Sequence, residues 1–338
     1  MERLAFLVAF SLVAITAPGA FCAKILFAYP IAVTSHTQVY EPIIEALGQR
    51  GHNVTVYAGL APRREMPPNV NLHISKQLEN VLSGDSGPLN NSFQTLRTPL
   101  NFKMIFNSFD WPRQWCEEIM QDPVYHNLWN ASNDTVFDLV IVSSAFNECV
   151  YGLIWRDKLP FVLVSPTGMF PWVGYAIGNP SYVVAAPTLF LSSSSNRMNF
   201  MERLSNWAIS VIYGAIYYWN SAPKTSNVLR QYFPEFPHPN EVTKNASLYL
   251  LNTDISMDYP RPLLPSVKEI GGLHCRSAQP LPEDLESFVT KPGSSGLILF
   301  SLGSTVKGVH MPPQFRAVFT EVFRRLPEYQ VMVLISRG

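Results

Sequence analysis

The sequence predicts an α/β fold built on a parallel sheet covered on both faces. Three observations predict it: apolar runs too continuous for half-exposed strands, amphipathic helical stretches between them, and a glycine just past the first helix. "KILFAYP" (Lys24–Pro30) reads as a buried strand, Gln38–Arg50 as a helix closed by Gly51, and Asn53–Ala58 as a second strand. "VFDLVIVS" (Val136–Ser143) is another all-apolar strand, followed by a helix over Asn147–Asp157 and a strand at "PFVLVS" (Pro160–Ser165). Two aromatic-rich helical regions, roughly Phe93–Gln121 and Met198–Asn220, lie between these elements. Most of their residues read as core packing, yet such apolar excess is also the material of a pocket for a lipophilic ligand.

Composition then shifts. "YPRPLLPSVKEIGGLHCRSAQPLPEDL" (Tyr259–Leu285) is rich in Pro and Gly and reads as an interdomain connection. After it come a strand and Gly-containing turn, "GLILFSLGSTVKG" (Gly296–Gly308), a helix opened by proline, "PPQFRAVFTEVFRRL" (Pro312–Leu326), and a strand, "YQVMVLIS" (Tyr329–Ser336). One such β-turn-α-β unit does not bury both faces of its sheet, so the second domain is expected to be incomplete.

The chain has 338 residues, 47% of them hydrophobic and 15% charged, with a formal net charge of zero. That length calls for one large or two moderate domains. The balanced charge gives no electrostatic footprint for nucleic acid. The opening "MERLAFLVAFSLVAITAPGAFCA" has a basic residue, a short apolar run and small residues near Cys22, the layout of a secretory leader cut near Cys22–Ala23. The run is short of the ~20 residues a membrane span needs. In a secreted chain, Asn90, Asn130, Asn133 and Asn245 fit the glycosylation triplet, as does Asn53 beside a strand. Cys116, Cys149 and Cys275 show no metal spacing and no disulfide framework, and are expected as buried thiols.

Ligands of an open parallel sheet bind beyond the carboxyl ends of its strands. Three loops qualify: Ile31–Thr37, Ser143–Asn147 and Leu302–Lys307. The first holds His36, the one titratable group there suited to take a proton near neutral pH. A helix N-terminus just after it disfavours the imidazolium. On pattern alone His36 is either a solvated loop residue or a base. The third loop, Ser301–Thr305, sets a glycine and hydroxyls ahead of a helix, where phosphate oxygens are received. "SLGST" is neither a Walker loop nor a G-x-G-x-x-G fingerprint. The remaining histidines sit in no ligand spacing.

Six segments, in order, carry a family resemblance: "AKILFAYPIAVTSHTQVYEPIIEALGQRGHNVTV", "FDLVIVSSAFNECVYGL", "GNPSYV", "RMNFMERLSN", "LLNTDISMDYPRPLLPSVKEIGGLH" and "LPEDLESFVT…GLILFSLGS". On them the chain resembles the animal, ER-resident UDP-glycosyltransferases, most of all the arthropod members. The resemblance implies a GT-B fold: two Rossmann-like domains across a cleft, the N-terminal one for the acceptor and the C-terminal one for the UDP-sugar. It divides the chain into a leader (1–22), a complete acceptor domain (23–258), a connection (259–285) and the start of a donor domain (286–338). The family's donor signature, membrane helix and cytosolic tail are expected beyond residue 338.

The implied reaction is inverting, metal-free transfer of a hexose to a hydroxyl of a small lipophilic acceptor, a conjugation of the detoxifying kind. UDP-glucose or UDP-glucuronate would be co-substrate, with no cofactor, and the arthropod likeness favours glucose. His36 stands at the family's general base, and Ser304 and Thr305 at a diphosphate-contacting turn. The family's acidic partner to the histidine should follow "FDLVIV", where this chain has Ser143 and Ser144; Glu148 is the nearest carboxylate. A second expectation stands beside it: a truncated, non-catalytic acceptor-domain protein that binds lipophilic ligands or pairs with a full-length transferase. Either way the resemblance places the protein in the endoplasmic reticulum lumen.

Overall fold

The computed structural model describes residues 22–83, 109–131, 137–179, 182–188, 195, 197–303 and 308–334. The leader up to residue 21, the triplets at Asn90 and Asn133, and Ser304 and Thr305 lie outside the described residues.

A seven-stranded sheet forms from β1 (Lys24–Tyr29), β2 (Asn53–Ala58), β3 (Val70–Ile74), β4 (Leu139–Ser143), β5 (Phe161–Ser165), β6 (Leu248–Leu251) and β7 (Val267–Glu269). Its order is β3-β2-β1-β4-β5-β6-β7, and every pairing is parallel. The helices are α1 (Thr34–Gln49), α2 (Lys76–Ser83), α3 (Trp111–Gln121), α4 (Pro123–Ala131), α5 (Tyr151–Asp157), α6 (Pro171–Ile177), α7 (Phe200–Ile216), α8 (Ala222–Arg230) and α9 (Pro239–Thr243). A separate two-stranded parallel sheet, β8 (Leu297–Ser301) with β9 (Gln330–Leu334), follows α10 (Glu283–Val289) and holds α11 (Pro313–Arg324) between its strands.

The apolar runs are continuous because both faces of the large sheet are covered. Leu26 and Ala28 of β1 join Val140 and Val142 of β4 in one core cluster, with α3, α5 and α6. Ile25, Phe27 and Tyr29 point the other way, into a second cluster with Val39, Tyr40 and Ile44 of α1. The period-2 alternation of a strand thus fills two cores at once.

The chain winds from β1 outward to β3 and then returns to lay β4 on the other side of β1. Strand order reverses at that point, and the loops leaving the carboxyl ends of β1 and β4 diverge to open a crevice.

Four expectations change. Helix α1 begins at Thr34, not Gln38, so His36 lies in its first turn. The backbone N–H groups of His36 and Thr37 both donate to the Val33 carbonyl, and the Thr37 hydroxyl donates to the Thr34 carbonyl. Val33 offers no side-chain cap, which is why no start signal stands in the sequence. The Pro-rich stretch 259–285 contributes β7, which pairs with β6 through Tyr249 and Val267. Cys116 and Cys149 are joined as a disulfide with Cα atoms 5.2 Å apart, tying α3 to the segment after β4. Cys275 is an exposed thiol, not a buried one.

Candidate acceptor site

A cavity of about 240 Å³ opens at the crevice between β1 and β4. Its walls come from the β1–α1 segment (Ile31, Val33, His36), from α3 (Trp111, Trp115) and from the turn after β4 (Ala145, Phe146), with Leu82 closing one side. Apart from His36 and Ser35, every side chain of this lining is apolar.

Among the described residues, His36 is the only titratable group in that wall. Burial pushes its imidazole down to about 4, so the ring is neutral at physiological pH. Its place in the first turn of α1, where backbone N–H groups leave partial positive charge, disfavours the imidazolium in the same direction. Among the described residues no side chain or carbonyl hydrogen-bonds the ring. The arrangement presents a neutral nitrogen base to an apolar volume.

The serines at the end of β4 do not hydrogen-bond it. Ser143 Oγ shares a 2.7 Å hydrogen bond with the Tyr40 hydroxyl, and Ser144 Oγ one of 3.1 Å with the Tyr249 hydroxyl. Both serines are buried. Glu148, on a single 3-10 turn (Glu148–Val150), is buried among apolar side chains, and its Oε1 accepts from the Tyr217 hydroxyl at 3.0 Å. Burial raises this carboxyl to about 7. No hydrogen bond joins Glu148 to His36 among the described residues. Glu41 of α1, also buried, pairs with Arg64 at 3.3 Å and accepts from the Arg63 N–H at 2.8 Å.

Asn147 is the residue that sequence reasoning missed. It is fully buried, and its Oδ1 accepts from the Ile31 N–H at 2.8 Å. Its Nδ2 donates to the carbonyls of Ile31 and Ala145, at 3.0 and 2.7 Å. A side-chain amide thus takes both backbone groups of Ile31, as a neighbouring strand would, and pins one cavity wall to the other. An asparagine in a turn has no pattern that separates this use from an ordinary turn residue. Among the described residues no group of three His, Cys, Asp or Glu converges as for a metal, and no helix is long and apolar enough to cross a membrane.

Comparison with known proteins identifies the family and the fold. The profile of the family described as "UDP-glucoronosyl and UDP-glucosyl transferase" matches residues 23–327. The chain is 33% identical to UDP-glucosyltransferase 2 of Dactylopius coccus over 96% of its own length and 61% of that protein's. It is 27% identical to UDP-glucuronosyltransferase 2B19 of Macaca fascicularis, over 91% of this chain and 59% of the relative. The chain therefore spans about three-fifths of the length of these curated relatives.

Among solved structures, the glycotransferase of kitacinnamycin superposes with a TM-score of 0.54 at 15% identity, covering 94% of this chain and 66% of that one. CalG4, the calicheamicin glycosyltransferase, gives 0.51 at 14%, covering 93% and 65%. At such identities the likeness is one of fold, and the fold is that of the GT-B glycosyltransferases. With a profile match across most of its length, the chain belongs to the UDP-glucoronosyl and UDP-glucosyl transferase family.

Proposed function

We propose that this chain carries the acceptor half of an inverting UDP-glycosyltransferase, with His36 as the general base. The acceptor, a small lipophilic molecule with a hydroxyl, lies in the cavity between β1 and β4. Its oxygen attacks the anomeric carbon of the UDP-sugar as the carbon–phosphate-oxygen bond breaks. UDP leaves with the electron pair, and the hydroxyl proton passes to an imidazole nitrogen of His36. The step balances without a metal ion. The observation that carries this reading is a neutral imidazole facing an otherwise apolar cavity at the strand-order reversal.

The donor is read as a UDP-hexose, with glucose favoured because the Dactylopius coccus relative is named a glucosyltransferase. Ser304 and Thr305 are assigned to its diphosphate on the sequence resemblance. The Cys116–Cys149 disulfide fits an oxidising compartment, which supports passage through the secretory pathway and residence in the endoplasmic reticulum lumen. Exposed Asn130 and Asn245 are available there as glycan acceptors. A detoxifying conjugation role is part of this reading, supported by an apolar site with one base.

A second reading has its own observation. Among the described residues no carboxylate hydrogen-bonds His36, since Glu148 bonds Tyr217, and the two serines bond tyrosines. That favours an acceptor-binding chain without catalysis, or one that pairs with a full-length transferase. Incubation with radiolabelled UDP-glucose and 1-naphthol separates the two. Glucoside from the purified chain, lost in His36→Ala, supports catalysis. No product alone, but altered turnover when a full-length relative is added, supports the second reading. No naphthol binding at all sinks both.

A further inference from the structure

From Val140 to Ile154 one residue alone is not buried, and it is Phe146. Its φ is 62°, in the left-handed region that a bulky side chain rarely adopts. Two features hold it there. Its N–H donates to the Ser144 carbonyl at 3.2 Å, and the next residue, Asn147, fixes the turn through the Ala145 carbonyl and both backbone groups of Ile31. Strain of this kind persists where the surroundings over-determine the conformation.

The Phe146 ring lines the cavity on the wall formed by the β4 turn, while His36 lines it from the β1–α1 segment. It is braced behind by Trp172 and Phe170, with ring centres at 6.1 and 6.0 Å, and meets Trp115 at 5.6 Å in an edge-to-face contact. Trp115 in turn lies 5.6 Å from Trp111. Three aromatic rings therefore line one small volume, and the one on the strained turn is fixed on two sides.

On the reading of this cavity as the acceptor site, we infer that Phe146 is its size-selecting residue: the ring limits how many fused rings a flat hydroxylated acceptor can carry while its hydroxyl reaches His36. Trp111 and Trp115 offer stacking and edge contacts that favour flat aromatic molecules. Phe146 sets the depth.

The test is calorimetric binding of phenol, 1-naphthol and 1-hydroxypyrene to the whole chain. Wild type, Phe146→Gly, Phe146→Leu and Ser35→Trp are compared. Glycine accepts the positive φ without strain, so that variant keeps the turn while deleting the ring. Leucine is the milder second variant, should the glycine chain not fold. The hydroxypyrene-to-naphthol affinity ratio should rise about tenfold or more in Phe146→Gly, and less in Phe146→Leu, as expected when a pocket wall is removed. Ser35→Trp places bulk at the half of the lining that carries His36 and should weaken all three probes. A ratio unchanged in both Phe146 variants, with binding still lost in Ser35→Trp, overturns the role of Phe146 and leaves the acceptor site standing. Probes that bind equally well to Ser35→Trp, or to no form of the chain, overturn both.

Discussion

Replacing Asn147 by aspartate tests the clamp that holds the two cavity walls together. Aspartate has nearly the same shape and keeps an oxygen for the Ile31 N–H, now 2.8 Å from Oδ1. It removes the two N–H donors that meet the carbonyls of Ile31 and Ala145 at 3.0 and 2.7 Å. A carboxylate oxygen would then face two buried carbonyl oxygens. Leaving a buried acceptor without its donor costs about 1–3 kcal/mol each, so the loss at pH 8 should be about 4 kcal/mol. At roughly 2–4 °C per kcal/mol, the melting midpoint should fall by about 10 °C.

The pH dependence of that loss is the stronger readout. Burial against two carbonyls raises the folded-state pKa of Asp at this position above its unfolded value of about 3.9. The folded variant then holds a proton that the unfolded chain releases, so its stability falls as pH rises through that window. Protonated, it regains one donor. Asn147→Leu, which removes every polar group at once, should be as damaging and show no added pH dependence. Urea unfolding followed by tryptophan fluorescence at pH 5 and pH 8 measures both. A loss under 1 kcal/mol for Asn147→Asp, or identical pH profiles for the two variants, would refute the clamp.

Four further outcomes follow. Reducing Cys116–Cys149, or replacing both by serine, frees a loop of 33 residues and should cost about 3–4 kcal/mol, seen as a lower urea midpoint with dithiothreitol. Gly152→Ala sets a Cβ 2.3 Å from the Phe233 ring, and should lower the midpoint by about 1–3 kcal/mol through overpacking. His36 is depressed from 6.5 to about 4, so the unfolded chain binds the extra proton between those values and stability falls as pH drops across them. His36→Leu should remove that acid slope, worth at most about 3 kcal/mol. Glu148 is raised from 4.5 to about 7, so it acts with the opposite sign: stability falls as pH rises across that range, and Glu148→Gln, which keeps an acceptor for Tyr217, should flatten the decline in urea titrations.

The parts of the fold that were legible are those where burial on both faces leaves a continuous apolar signature, as in β1, β2, β4 and β5. Edge strands carried no such signature. β3 is mostly exposed, with a burial pattern of one buried residue followed by open ones, and β7 is three residues long with two exposed. "VNLHI" and "VKE" therefore read as ordinary surface. The start of α1 was hidden because Thr34, Ser35 and Thr37 have loop-like composition while the turn is held by the Val33 carbonyl. At the site, His36 was visible as a residue type in a plausible place. The Asn147 clamp, the strained Phe146 and the disulfide were not. Each depends on what the sheet brings together across long sequence separations, 116 residues for Asn147 and Ile31, and local pattern holds no record of it.

The position of the two serines also bears on which acceptors this site suits. Ser143 ties β4 to α1 through Tyr40, and Ser144 ties β4 to β6 through Tyr249, so both hydroxyls serve the scaffold. Among the described residues no charged partner then opposes the effect of burial on His36, whose ring is pushed down to about 4. A base that weak is always free to accept a proton at pH 7, but it draws little driving force from doing so. On the proposed reaction the acceptor must supply the difference. A phenolic hydroxyl, with a pKa of about 10, comes far closer to it than an aliphatic alcohol, which is about as weakly acidic as water. On that proposal, the electronic demand of His36 and the aromatic walls formed by Trp111, Trp115 and Phe146 would select for the same chemistry, a flat and comparatively acidic hydroxyl. Basicity and shape are set by different residues, the first by the burial of His36 and the second by the rings of Trp111, Trp115 and Phe146, yet on the proposed reaction they favour the same acceptor.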